Sequence, residues 1–127
     1  MGPGPSDIHP RVLSAMAMPM LGHLDPEFVA IMDEVKDMLR CTLNTSNRMT
    51  YVISGPGSAG MESSLMNVIE PGDTIAVCKN GVFGGRMEEV CRRIGANVVA
   101  IEVPWGEAIP LEKVKSTLEG GDFKALA

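Results

Sequence analysis

Residues 49–69 read MTYVISGPGSAGMESSLMNVI. An apolar stretch rich in β-formers, MTYVIS, predicts a strand, and it runs into a glycine turn that opens a predicted helix over 58–69. Inside the turn Gly55, Gly57 and Gly60 stand at G-x-G-x-x-G spacing. A strand that ends in such a turn leaves backbone N–H groups unpaired at a helix start. The helix dipole adds partial positive charge there, so the place is suited to an anion. The N–H groups of Gly57, Ser58 and Ala59 and the Ser58 hydroxyl are the candidate donors. Pro56 has no N–H to give. The plainer alternative is a tight strand-to-helix turn with Ser58 as its N-cap.

The pattern continues on the C-terminal side. EPGD reads as a turn, TIAVC as a strand, NGVFGG as a loop and residues 86–94 as a helix closed by Gly95. NVVAIEV then reads as a strand, 111–118 as a helix stopped by Gly120 and Gly121, and FKALA as the start of a further strand. Short apolar strands alternating with helices predict an α/β fold, a mostly parallel sheet covered by helices. Because an apolar run is under way at Ala127, the chain is expected to be a piece of a longer protein.

On the N-terminal side, residues 1–25 are rich in Pro and Gly and read as an extended arm with one helical turn near 11–17. Asp25 caps a helix with Pro26 at its first position. Phe28, Ile31, Met32, Val35, Met38 and Leu39 recur at helical spacing and form one apolar stripe. The expected organisation is an arm over 1–25 and one domain over 26–127.

The glycine spacing alone suggests a dinucleotide such as NAD. That reading also needs an acidic residue after the second strand to hold the ribose. Here that strand is followed by Lys79 and Asn80, and Asp73 lies before it, in the EPGD turn. The second loop carries Phe83 instead. In a parallel sheet such loops gather at the carboxyl ends of the strands, where an aromatic ring can stack on a flat heterocycle. The plainer reading of Phe83 is packing against its own helix.

Composition narrows the function. A net charge of −5 with no basic run argues against a nucleic-acid surface. No apolar run approaches the ~20 residues needed to span a bilayer, and no targeting signal is read, so a cytoplasmic or organelle-matrix location is expected. Cys41, Cys78 and Cys91 have no C-x-x-C spacing and are expected to be buried free thiols in a reducing compartment. His9 and His23 are far apart and lack Cys partners, so no metal site is expected.

Several segments in order carry a resemblance: GPGPSDIHPRVLSAM, PMLGHLDPEFVAIMDEVKDMLR, SGPGSAGMESSLMNVIEPGD, NGVFGGRMEEVCRRIGANV and VPWGEA. Together they resemble the N-terminal third of class V, fold-type I, pyridoxal-phosphate aminotransferases, in the alanine–glyoxylate / serine–pyruvate branch. The resemblance implies part of the large domain of that fold. It implies that Pro56, Gly57 and Ser58 hold the cofactor phosphate and that Phe83 stacks on the pyridine ring. It places Pro3 and Gly4 near a small amino-acid or 2-oxo-acid substrate, and makes the complete protein a homodimer held partly by the arm. Relatives often carry Ser or Thr where this chain has Pro56, so one hydroxyl contact to the phosphate is expected to be missing.

The resemblance also implies that no catalytic residue lies in this chain. The Schiff-base lysine, the aspartate at the ring nitrogen and the arginine for the substrate carboxylate are expected downstream, and Lys36, Lys79, Lys113, Lys115 and Lys124 do not match the catalytic position. The chain alone is therefore expected to be inactive. The alternatives are a non-catalytic, partner-binding homologue and, less favoured, an NAD-binding module.

Overall fold

A computed structural model describes residues 4–127. The chain divides into two compact units, Met1–Ile53 and Ser54–Ala127.

The first unit is helical. α1 (Pro10–Met16) and α2 (Pro26–Thr42) both start with Pro at the first position. That position lacks an intrahelical partner for its N–H, so Pro costs nothing there and its fixed φ suits the helix. Asp25 caps α2 as expected, its carboxylate accepting from the Glu27 N–H at 2.9 Å. The far end closes on Asn44, at φ 49°, with the Thr45 N–H bonded to the Arg40 carbonyl at 3.0 Å. Asn tolerates this left-handed conformation better than other side chains do. No residue of α2 is buried. Along its apolar stripe Phe28, Met32, Val35 and Leu39 are half-buried, while Ile31 and Met38 are exposed.

The second unit holds α3 (Gly57–Met66), β1 (Thr74–Lys79), α4 (Val82–Ile94), β2 (Asn97–Glu102), α5 (Leu111–Glu119) and β3 (Ala125–Leu126). The strands form a parallel sheet in the order β2-β1-β3, with Ile75 opposite Val98 on one side and Ala125 on the other. β1 is the central strand, and Ile75, Ala76 and Val77 are all fully buried. Successive side chains point to opposite faces, so this unbroken apolar run means that both faces of β1 are covered. On one face Ile75 and Val77 pack with Leu65 and Ile69, from α3 and the turn after it, and with Cys91 of α4. α5 also contacts β1 and β2. Fully burying an aliphatic side chain of this size stabilises the fold by about 1.5–3 kcal/mol, so these few residues dominate the unit.

Three local expectations are corrected. Residues 49–54, MTYVIS, form no strand: the segment has no ladder partner among the described residues, and Val52 and Ile53 are exposed. β-propensity is realised only against a neighbouring strand, and the ladders of the sheet join only β1 to β2 and β1 to β3. The first glycine-turn helix begins at Gly57 and ends at Met66 rather than running over 58–69. NGVFGG is no loop, because α4 already starts at Val82.

The last difference comes from packing. Gly84 is buried within the first turn of α4, against the end of β1. A Cβ on Gly84 would stand 2.7 Å from the Cys78 carbonyl oxygen and 2.9 Å from the Lys79 Cα. Helical Gly normally costs about 1 kcal/mol relative to Ala. Here the missing side chain lets helix and strand backbones touch. At its other end α4 closes on Gly95 at φ 94°, as expected, and the Ala96 N–H bonds to the Cys91 carbonyl at 3.0 Å.

Gly84→Ala is expected to lower the stability of the second unit by about 2 kcal/mol through this backbone clash. Gly85→Ala, where no atom lies within 4 Å of the added Cβ, is expected to be neutral or stabilising by up to about 1 kcal/mol. Urea unfolding of the two variants beside the parent chain checks the contrast.

Candidate functional site

α3 starts without a side-chain cap, because Pro56 occupies the N-cap position. Its carbonyl accepts from the Ala59 N–H at 2.9 Å and the Gly60 N–H at 3.3 Å. Ala59, expected as an anion donor, is thus already engaged by the turn itself. Two donors remain. Among the described residues neither the Gly57 N–H nor the Ser58 N–H has a protein acceptor. Nothing lies within 4 Å of where a Cβ on Gly57 would stand, so the space beside the turn is open.

α4 supplies the facing side. Arg86 donates from Nη1 to the Ser58 Oγ at 2.6 Å. Phe83 lies three residues earlier, and residues three apart lie on one face of a helix. Phe83 and Arg86 therefore share one side of α4, and from it Arg86 reaches the start of α3. Phe83 is 58% exposed, so packing against its own helix leaves most of the ring open to solvent. Ser58 is joined to α4 through Arg86, one helical turn from Phe83 and a residue that sequence reasoning did not single out. Its signal was faint, a lone cation one turn after Phe83. Gly4, at φ +151°, lies in the first unit, and Pro3 lies outside the described residues.

An ion cluster closes the carboxyl end of β1. Lys79 Nζ lies 3.0 Å from a Glu88 carboxylate oxygen and 3.1 Å from one of Glu102. Glu88 also accepts from Arg92 at 2.9 Å. Hydrogen bonds from Arg92 and then Lys79 hold the Glu88 carboxyl below its ordinary range. Hydrogen bonds to Glu88 and then Glu102 raise Lys79 above its own. Lys79 is therefore a firmly charged structural cation. The turn before β1 engages its acid as well: Asp73 Oδ2 accepts from the Glu70 N–H at 2.9 Å. The residues that follow β1 are Asn80 and Gly81, so no acid stands directly after this strand to hold a dinucleotide ribose.

The free cysteines divide by position. Cys91 is buried, and desolvation pushes its thiol up, which keeps it protonated and unreactive. Cys78 is half-buried. Cys41 is exposed, contrary to expectation, because α2 buries no residue in its own unit. Among the described residues no group of three or more His, Cys, Asp or Glu could hold a metal. None of the described helices is long and apolar enough to cross a membrane.

The same backbone recurs in solved proteins. An alanine–glyoxylate aminotransferase from Nostoc sp. matches with a TM-score of 0.81 at 45% identity, over 94% of this chain and 32% of that one. A ureidoglycine–glyoxylate aminotransferase from Bacillus subtilis matches with a TM-score of 0.86 at 39% identity, over 99% of this chain and 33% of that one. Alanine–glyoxylate aminotransferase from Drosophila melanogaster is 44% identical over 119 residues. The homologues of this chain are alanine–glyoxylate and related class V aminotransferases. The chain spans about 30% of the length of the curated relatives it matches, so it corresponds to part of their fold. No protein-family profile matches it.

The ion cluster has a signed pH dependence. Glu88 has a lowered carboxyl, so its contribution is present above the ordinary Glu value and is lost as pH falls through the folded one. Lys79 is raised, so its contribution is present below the ordinary Lys value and is lost as pH rises through the folded one. In Glu88→Gln the loss of thermal stability between neutral pH and pH ~3 is expected to be shallower than in the parent. Melting temperatures followed across that range by circular dichroism check the slope.

Proposed function

We propose that this chain is part of a pyridoxal-phosphate-dependent transaminase that moves an amino group from a small amino acid, alanine or serine, to glyoxylate or pyruvate. The observation that carries the reading is the pair of N–H groups on Gly57 and Ser58 at the start of α3, unpartnered among the described residues and beside open space, with the exposed Phe83 ring one turn from Arg86 on the neighbouring helix. Alanine–glyoxylate names among the relatives supply the substrate class. The complete protein is proposed to act as a homodimer, with residues 1–25 at the subunit contact and Pro3 and Gly4 toward the substrate.

The residues present suit the cofactor's phosphate. Gly57 and Ser58 donate from the backbone, the Ser58 hydroxyl adds a third donor, and the α3 dipole favours a dianion there. Pro56 contributes neither N–H nor hydroxyl, so the cradle is built from fewer donors than a Ser at that position would allow. Phe83 offers a flat apolar face of the size of a pyridine ring and shields that face from water. Bound there, pyridoxal phosphate supplies the carbonyl that accepts the amino group and the ring that withdraws electrons from the substrate α-carbon.

A lysine that moves the proton of the substrate α-carbon must be able to lose its own charge. Lys79 is held charged by Glu88 and Glu102. Lys36 bonds to Asp33, Lys115 to Glu112, and Lys113 to the Glu102 carbonyl. These four lysines have structural partners, and Lys124, whose N–H bonds to the Thr74 carbonyl at the start of β1, stands at the other end of that strand from the α4 start; the catalytic lysine is proposed to come from sequence beyond this chain. The chain incubated with pyridoxal phosphate, alanine and glyoxylate is accordingly expected to form pyruvate no faster than a protein-free mixture. Steady pyruvate release at enzyme-like rates would overturn this.

Binding is tested with pyridoxamine 5′-phosphate, which lacks the aldehyde and so cannot react with surface lysines. Gly57→Glu is expected to keep or slightly raise helix stability, because a carboxylate suits an α3 N-terminus. The same carboxylate should abolish binding of the phosphorylated probe by repulsion. Phe83→Ala is expected to weaken binding roughly fivefold, the loss of one stacking contact. Fluorescence titration of the probe reads both, and unchanged affinity in both variants would sink the assignment.

A further inference from the structure

We propose that Arg86 is a positioning residue for the Ser58 hydroxyl and thereby for phosphate binding, an inference that rests on the cofactor reading above. A guanidinium carries donors and no acceptor, so the direction of the 2.6 Å contact between Arg86 Nη1 and Ser58 Oγ is unambiguous. Arg86 fills a lone pair of the oxygen and repels the hydroxyl hydrogen. The hydrogen must turn away from α4, and among the described residues it has no protein acceptor. Ser58 is left as an oriented donor beside the free Gly57 and Ser58 N–H groups.

Of the three arginines in the second unit, Arg92 pairs with Glu88 and Arg93 with Glu89. Arg86 has no carboxylate partner among the described residues. An arginine whose partner is a neutral hydroxyl spends its charge on polarising that hydroxyl. A hydroxyl that accepts from a cation becomes a stronger donor itself, since successive hydrogen bonds polarise one another. Arg86 thus makes up on the α4 side for the donor that Pro56 removes on the α3 side.

The arrangement depends on the close approach at Gly84, which sets the first turns of α4 against β1. Arg86 is exposed, and its one described polar contact is with Ser58, so replacing it should leave the fold intact.

The test is a double-mutant cycle on this chain, with pyridoxamine 5′-phosphate as fluorescent ligand and inorganic phosphate as its displacer. Arg86→Gln is expected to weaken the probe about tenfold and to raise the displacing phosphate concentration by a similar factor. The urea midpoint should not move. Arg86→Lys, which keeps a charged donor, should recover most of the loss. In a Ser58→Ala background, Arg86→Gln should change affinity less than twofold, because the oxygen through which Arg86 acts is gone. Unchanged affinity in Arg86→Gln overturns the inference. So does the same tenfold loss with Ser58 absent, and so does weakening of the probe without a matching change for inorganic phosphate. A parent chain that binds neither probe nor phosphate overturns the cofactor reading itself, and this inference with it.

Discussion

The contact between Gly84 and the last residues of β1 governs the geometry of the second unit. No side chain larger than hydrogen fits between the α4 backbone and the Cys78 carbonyl. Because the backbones touch there, α4 starts at Val82 and lies along β1, placing Cys91 in the core beside Ile75 and Val77. The same contact sets the helical face that carries Phe83 and Arg86. Moving the first turn of α4 outward by the width of a methyl group would shift both side chains relative to α3. Core and candidate site therefore share one constraint.

The carboxyl end of β1 shows how charge is divided between structure and chemistry. Lys79 emerges where ligands commonly bind in parallel sheets, yet two carboxylates hold it. A lysine in that setting ties β1 to α4 and β2 and has little freedom to exchange its proton. Arg86, one turn into α4, has the opposite character. Among the described residues its partner is a hydroxyl and not a carboxylate, and it acts by polarising and orienting that hydroxyl. Two cations near one strand end thus have different roles because of what faces them.

Much of the fold was legible in the residues. The uninterrupted TIAVC run is what a strand covered on both faces requires, and β1 is that strand. Pro26 behind Asp25 announced the α2 start, because the first helical position needs no N–H and the Asp25 carboxylate caps the turn, and Gly95 announced the α4 end, because few other residues tolerate its φ of 94°. MTYVIS misled because β-branched residues favour extended backbone but cannot supply a partner strand. NGVFGG misled because its glycines suggested a loop, whereas Gly84 is needed for close packing inside a helix. Helix propensity is a local property, and the clash that a side chain would make with Cys78 is not.

At the candidate site the sequence by itself determined the kinds of group available. It placed Gly57 and Ser58 at a helix start, left Pro56 without an N–H, and put Phe83 just after a strand. Each follows from covalent chemistry and short-range periodicity. Only the tertiary structure decided which of those groups are free and which face one another. It engaged the Ala59 N–H in the turn, tied Lys79 to Glu88 and Glu102, and brought Arg86 across 28 residues of chain to Ser58. Such pairings depend on how closely two elements pack, and here that distance was set by the absence of a single Cβ.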